Sequence, residues 1–198
     1  MNIAVIGAGN IGGTLGQKWA QAGHTIRYGV RNPNDAKYDE LRSTGAVATV
    51  SDALRGAQTV LLALPGGAAA EFAAQYGLDL NGVLVIDATN NVRAAVMNNL
   101  AVLKEKAPGA RLARAFSTLG WENFANPQLG GQTIDLFYCA HAAARAEMER
   151  LIAEIGLRPV YTGDLDSAET VDALTRLWFA LAFAQGRGRR IAFKLLSE

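Results

Sequence analysis

One cysteine, Cys139, and two histidines, His24 and His141, are all that this 198-residue sequence offers to thiol or imidazole chemistry. A lone cysteine cannot staple the chain internally. Charge of one sign is lacking too: the formal net charge is +1, so there is no concentrated Lys/Arg field of the kind nucleic-acid binders carry. Long hydrophobic runs are absent. The longest strongly apolar stretch late in the chain, Leu177 to Ala184, falls far short of the roughly 20 residues that cross a bilayer. The first strand starts at Asn2, which leaves no room for a charged leader region. These absences together lead us to expect a cytoplasmic protein with neither nucleic acid nor membrane as partner.

What is present is the ordinary composition of a folded domain, with 50% apolar and 19% charged residues. No linker, low-complexity tract or internal repeat divides it. We expect one domain over residues 1–198, too short for a Rossmann unit followed by a large separate substrate domain.

Short β-like runs alternate with helix-like runs, the pattern of a mostly parallel sheet covered on both faces. Strands are predicted at Asn2–Gly7, Thr25–Val30, Ala46–Val50, Thr59–Leu64, Val83–Asp87, Arg111–Phe116, Ile134–Tyr138 and Leu157–Tyr161. Thr59–Leu64 is so uniformly apolar that it belongs at the centre, buried on both sides. Helices are predicted at Ile11–Ala22, Ala36–Thr44, Ala68–Tyr76, Asn98–Ala107 and Ala142–Ile155, with a helical turn through Arg55 capped by Ser51. A long closing helix from Ser167 to about Gln185, begun by an Asp or Ser cap, ends at Gly186 and Gly188. The fold class is thus α/β, a doubly wound Rossmann-type sheet with a C-terminal helical extension over about 167–194.

The sharpest motif is Gly7-Ala8-Gly9-Asn10-Ile11-Gly12, a G-x-G-x-x-G between an apolar strand and an amphipathic helix. Gly7 permits the tight turn, Gly9 lets a pyrophosphate touch the backbone, and Gly12 lets helix and strand pack closely. The helix start then offers free N–H groups and a partial positive charge to phosphate. Glycine-rich turns are common, and it is the strand before and the helix after that make this one a dinucleotide site.

The end of the second strand chooses the nucleotide. A carboxylate there would accept the ribose 2′-OH and repel a 2′-phosphate. This chain has Val30-Arg31-Asn32, and Arg31 can clamp a phosphate, with Asn32 and Lys37 to assist. The reading is NADP(H); the alternative is a solvated loop arginine and an enzyme indifferent to the two cofactors. Two further strand ends line the same crevice, Leu64-Pro65-Gly66-Gly67 and Asp87-Ala88-Thr89-Asn90.

With Ala115-Phe116-Ser117-Thr118-Leu119-Gly120 added in order, the chain resembles the NADP-dependent oxidoreductases of the deazaflavin (coenzyme F420) type. It is similar as well to the reductase domain of the STEAP metalloreductases. The likeness extends to Gly156-Leu157-Arg158-Pro159, Gly163-Asp164-Leu165 and the closing helix. It implies hydride transfer between NADPH and a second redox partner, a deazaflavin or flavin, or a ferric or quinone acceptor. By position, Ala8, Gly9, Asn10 and Ile11 would wrap the pyrophosphate, while Val30 and Arg31 would meet the 2′-phosphate. Gly66 and Ala70 would flank the nicotinamide, Gly120 and Trp121 would lie near its pocket, and Ile191 would close over it. Two departures stand out: Val30 replaces the usual Ser or Thr before the arginine, and Gly66 replaces an aromatic after the proline.

No general acid, catalytic side chain or metal ligand is nominated, since the cofactors carry the chemistry of hydride transfer. His141, after a strand, is better placed for a catalytic role than His24; Cys139 reads as a small buried hydrophobe. Phe116, Trp121 and Phe124 either stack on a flavin-like ring or fill the core. Arg187, Arg189 and Arg190 either hold an acidic partner or are a solvated surface. Trp178, Phe179, Leu181 and Phe183 crowd the closing helix all round, so we expect a homodimer through it. Two other functions fit the nucleotide site. One is a small imine or carbonyl reductase resembling pyrroline-5-carboxylate reductases, which normally carry a helical dimerisation domain beyond this length; the other is an NADPH-binding redox sensor without turnover.

Overall fold

The apolar run that the sequence puts at the centre is there. In the computed structural model, which describes residues 1–198, Thr59–Leu62 (β4) and Leu84–Asp87 (β5) are buried at every position. Around them lie Asn2–Ile6 (β1), Thr25–Gly29 (β2), Ala46–Ala48 (β3) and Arg111–Arg114 (β6), giving the parallel order β3-β2-β1-β4-β5-β6. This is the Rossmann order, in which the C-terminal strand ends form one edge and the chain reverses direction of travel between β1 and β4.

Two strands extend the sheet beyond β6. Asp135–Ala140 (β9) runs antiparallel to β6, and Arg158–Tyr161 (β10) runs parallel to β9. Between β6 and β9 the chain makes a short hairpin, Gln128–Leu129 (β7) with Gln132–Thr133 (β8), which the sequence reading missed. Its two-residue turn is Gly130-Gly131, both at positive φ (59° and 76°) as a tight hairpin demands.

Seven helices cover the sheet: Asn10–Gln21 (α1), Val50–Leu54 (α2), Ala69–Tyr76 (α3), Leu100–Lys106 (α4), Trp121–Ala125 (α5), Arg145–Glu154 (α6) and Ala168–Phe179 (α7). On one face a core of 26 buried residues is built from α1, α5 and α6 against the sheet, with Trp19 Nε1 donating to the Leu151 carbonyl at 3.0 Å. On the other, 18 buried residues join α2, α3, α4 and the start of α7. No helix is long and apolar enough to cross a membrane.

Three local expectations are corrected. The cap of α2 is Thr49, not Ser51: its hydroxyl accepts from Asp52 N at 3.2 Å and donates to the Asp52 carboxylate at 2.8 Å. Ala36–Ser43 winds as a 3-10 helix, its N-terminus capped by Asp35. The closing helix changes pitch at Ala180–Ala184, a π-helical turn, before Gly186 (φ 64°) and Gly188 (φ 75°) release the chain. Residues 186–198 then run back as a strap. Arg190 donates to the carbonyls of Glu122, Asn126 and Gln128, while Arg158, Lys194 and Leu195 N converge on buried Asp135.

Candidate dinucleotide site

The three glycines of the loop are needed for three different physical reasons. Gly7 has φ 96°, and a Cβ there would lie 2.5 Å from the Ala63 carbonyl oxygen. At Gly12 a Cβ would lie 2.0 Å from the Gly7 carbonyl oxygen, so helix and turn touch backbone to backbone. Gly9 is different: a Cβ there would meet nothing within 4 Å. The space above Gly9 is open, and it faces the start of α1, whose N-cap makes no side-chain hydrogen bond. Uncapped N–H groups beside an open approach are what a diphosphate needs.

A cleft of about 510 Å³ runs over this loop, lined on one side by Gly29, Val30 and Arg31 and on the other by Ala63, Leu64 and Pro65. Arg31 is exposed and has no hydrogen bond or ion pair within the chain. It also borders a neighbouring hollow of about 300 Å³ with Thr49, Val50, Phe72 and Tyr76. Val30, by contrast, is buried, with its N–H given to the Ala48 carbonyl at 3.0 Å. Asn32 is exposed but turned into its own loop, accepting from Asn34 N at 3.3 Å, and Lys37 is paired with Asp35 at 2.7 Å.

Beyond the loop, Ile11, Ala63, Leu64 and Arg189 are shared with a second cavity of about 270 Å³, whose further walls are Asn90, Ser117, Leu119, Trp178 and Phe179. The trough is therefore continuous from Arg31 across Gly9 to Asn90. Trp121 and Tyr38 flank the loop end of it, bordering both the main cleft and a polar groove outside α1.

The strand ends under this second cavity are held by a charged network that the sequence reading did not single out. Arg114 is fully buried and donates to Asp172 at 2.9 Å, to the Asp87 carbonyl at 3.2 Å, to the Thr89 carbonyl and to Asn90 Oδ1 at 2.8 Å. Asp87 accepts from Thr89 N at 3.0 Å and from Asn99 N at 2.7 Å, and Asp172 accepts from Asn98 N at 3.1 Å. Every donor and acceptor around the guanidinium has a partner, the condition on which such a buried network is tolerated. Its product is a fixed Asn90, whose amide nitrogen also donates to the Ser117 carbonyl at 3.2 Å. Next to it Phe116 sits at φ 59°, a left-handed conformation costing roughly 1–3 kcal/mol for a bulky residue. It is locked by edge-on contacts with Trp19 and Phe124, each at 5.7 Å, and it turns the chain so that Ser117 borders the cavity.

Several residues named from sequence do not border the trough. Thr89 is buried, with its hydroxyl spent on Asp87 and receiving Asn99 Nδ2 at 2.7 Å. Gly66 packs on Asn91, where a Cβ would lie 2.6 Å from the backbone, so no aromatic could stand there in this backbone. Ala70 is exposed on α3. Gly120 packs against Trp178 and Arg189 behind the wall, and Ile191 offers its carbonyl to Trp178 Nε1 at 3.0 Å, leaving Arg189 as the strap residue that reaches the cleft. Phe116 and Phe124 are core. The aromatic wall of the second cavity comes instead from Trp178 and Phe179, for which the only sequence signal was the crowding of aromatics in the closing helix.

Both histidines lie elsewhere. His24 Nε2 meets Glu154 at 2.8 Å and its Nδ1 the amino terminus at 3.3 Å. His141 accepts from Leu112 N at 3.1 Å and follows a strand antiparallel to β6, so it stands at the N-terminal edge of the parallel strands, opposite the cleft. Cys139 is fully buried, and that burial pushes its thiol up to about 11. It is a poor nucleophile there.

A sheet edge built in this way belongs to the Rossmann fold, and the structures that superpose on this chain share that fold. Residues 2–91, from β1 to the turn after β5, match the family described as NADP oxidoreductase, coenzyme F420-dependent. A protein provisionally named an F420-dependent NADP-reductase, from Arthrobacter sp. FB24, superposes with TM-score 0.85 at 24% identity, over 100% of both chains. The hypothetical protein SMa0349 from Sinorhizobium meliloti gives TM-score 0.71 at 27% identity, over 100% of this chain and 96% of the other. A reductive aminase from Aspergillus terreus, solved with NADPH and ethyl-5-oxohexanoate, gives TM-score 0.69 at 21% identity. That match covers 93% of this chain and 62% of the aminase, so the chain spans about three fifths of that enzyme.

Proposed function

We propose that the protein binds NADPH along the trough and passes its hydride to a small-molecule acceptor seated in the second cavity. The observation that carries this is the continuity of the trough, with an open Gly9 and a free Arg31 at one end and an apolar, aromatic-walled cavity at the other. The residues suit the nucleotide. The α1 N–H groups face its diphosphate, Arg31 its 2′-phosphate, and Ala63, Leu64 and Ile11 form the apolar seat that joins the two cavities. NADPH supplies the two electrons as hydride, and the chain supplies position: Asn90 and Ser117 are immobilised at the far wall, where alignment alone lowers a barrier by several kcal/mol.

The acceptor reading we favour is a planar ring of the flavin or deazaflavin kind. Trp178 and Phe179 line it with aromatic carbon, and the cavity wall holds no carboxylic acid, imidazole or phenol with which to protonate a carbonyl or imine. The closing helix also leaves Leu177 and Phe183 about half exposed, and we read that face as the contact of a homodimer. Light scattering at micromolar concentration tests this, and a clean monomer ends it.

The test of function is titration of the pure protein with NADPH and NADH by calorimetry, then NADPH oxidation with 5-deazariboflavin, riboflavin, ferric chelates, quinones and pyrroline-5-carboxylate. Turnover confined to the imine would make it an imine reductase. Tight NADPH uptake with no acceptor turned over would make it a sensor. Uptake of neither nucleotide would end the proposal.

A further inference from the structure

Arg189 is the only cation that borders both the dinucleotide cleft and the second cavity. Its Nε is held by Glu122 of α5 at 2.6 Å, and its guanidinium lies 5.8 Å from the ring centres of both Trp178 and Phe183. The two terminal nitrogens have no partner within the chain. Its backbone is fixed as well, with the carbonyl accepting from Asn123 Nδ2 at 3.0 Å. Glu122 is the one charged group paired with it; it borders neither cavity, and its second oxygen is buried without a partner. The cavity therefore faces the positive end of an ion pair whose negative end is set behind the wall.

Resting on the hydride-transfer reading above, we infer that Arg189 determines which acceptor is used, favouring a neutral conjugated ring that becomes an anion when it takes a hydride. The chemistry balances without an acid. The C–H bond of NADPH breaks, the hydrogen and both electrons form a new bond to the ring, and the ring is left with one negative charge, which the free guanidinium nitrogens receive. A fixed donor aimed at developing charge stabilises the transition state in this way. The same cation disfavours an iminium substrate, which arrives positively charged and would be desolvated against it.

The probe is 5-deazariboflavin, whose lack of a phosphate tail confines the comparison to the ring, set against the cyclic iminium of 1-pyrroline. Arg189→Gln combined with Glu122→Gln removes the cation without stranding a buried carboxylate, and Arg189→Lys keeps a charge should the double variant fold poorly. The expected result is a loss on the order of 100-fold in kcat/KM for 5-deazariboflavin, the scale of removing one aimed donor. NADPH affinity should fall far less than acceptor turnover, since Arg189 is only one wall of the cleft, the iminium should be favoured more than before, and Arg189→Lys should recover part of the loss. A readout independent of turnover is the absorbance titration of the reduced ring bound to the protein: its ionisation is held below the free value in the wild type and returns toward it in the double variant. Ring ionisation that does not move, or NADPH affinity lost in step with activity, overturns the inference while leaving the proposed function standing. No NADPH uptake by the wild type overturns the proposed function, and this inference with it.

Discussion

Arg114 and Asp172 meet at 2.8 Å with side chains 0% and 7% exposed, joining β6 to the closing helix beneath the second cavity. Asp87, also 0% exposed, stands 3.6 Å from the same guanidinium. One buried cation thus answers two buried carboxylates. Replacing Arg114 by Met leaves both without their charge partner, so the variant should lose roughly 3–5 kcal/mol of stability, the scale of breaking a buried pair. Urea unfolding measures it. Asp172→Asn, which keeps the shape and leaves Arg114 facing Asp87, should cost less; equal losses would show that the network is not organised around the guanidinium.

Gly9 and Gly12 are chemically identical and stand three residues apart, yet they should fail in opposite ways when changed to Ala. A Cβ at Gly9 enters open space, whereas one at Gly12 lies 2.0 Å from a carbonyl oxygen. Gly9→Ala should fold with an unchanged Tm and bind NADPH more weakly, by roughly 1–3 kcal/mol, through lost main-chain contacts to the diphosphate. Gly12→Ala should lower the Tm whether or not nucleotide is present, because a backbone clash in a packed core costs roughly 1–3 kcal/mol or more. Thermal melts with and without NADPH separate the two.

That contrast shows where sequence was informative. The loop could be read because each glycine answers a local need, and the central strands because burial on both faces leaves an unbroken apolar run. The half of the sheet from β1 to β5 follows from such local signals. The part beyond β6 does not: α5 is only five residues, the β7–β8 hairpin only two residues a side, and neither has a period to detect. Arg114, Asp172 and Arg189 carry no local signal because their importance lies in partners 58 and 67 residues away, a pairing no spacing rule reveals. Gly66 illustrates the converse. By resemblance it stands where an aromatic is usual, and the structure packs it against the Asn91 backbone.

Arg31 has no partner of its own, so removing it should cost the fold nothing. Its side chain borders the main cleft and the adjoining hollow, where a 2′-phosphate would meet it. Arg31→Ala should weaken NADPH by roughly 1.5–3 kcal/mol, the worth of a hydrogen bond to a charged group, and should leave NADH almost unaffected. Calorimetry with both nucleotides decides. Equal loss for the two would remove Arg31 from the phosphate site.

Asp135 ties the strap down, and the tie should fail in acid. Burial pushes its carboxyl up, but hydrogen bonds from Arg158, from Leu195 N and from Lys194 outweigh that and hold it below its usual value of 3.8. A carboxyl depressed in the folded state contributes stability that is present above the unfolded pKa and is lost as pH falls through the folded one. The strap's attachment should therefore be intact at neutral pH, begin to weaken below 3.8, and be lost once the depressed value is passed. Hydrogen exchange at Leu195, corrected for the intrinsic effect of pH, would follow it directly, since this N–H donates to Asp135 at 2.8 Å. Asp135→Asn should expose that amide at every pH and abolish the acid step. Because the same strap carries Arg189 to the cavity, the Asn variant should also lose acceptor turnover before it loses NADPH binding; loss of both together would mean that the strap holds the nucleotide and not the acceptor.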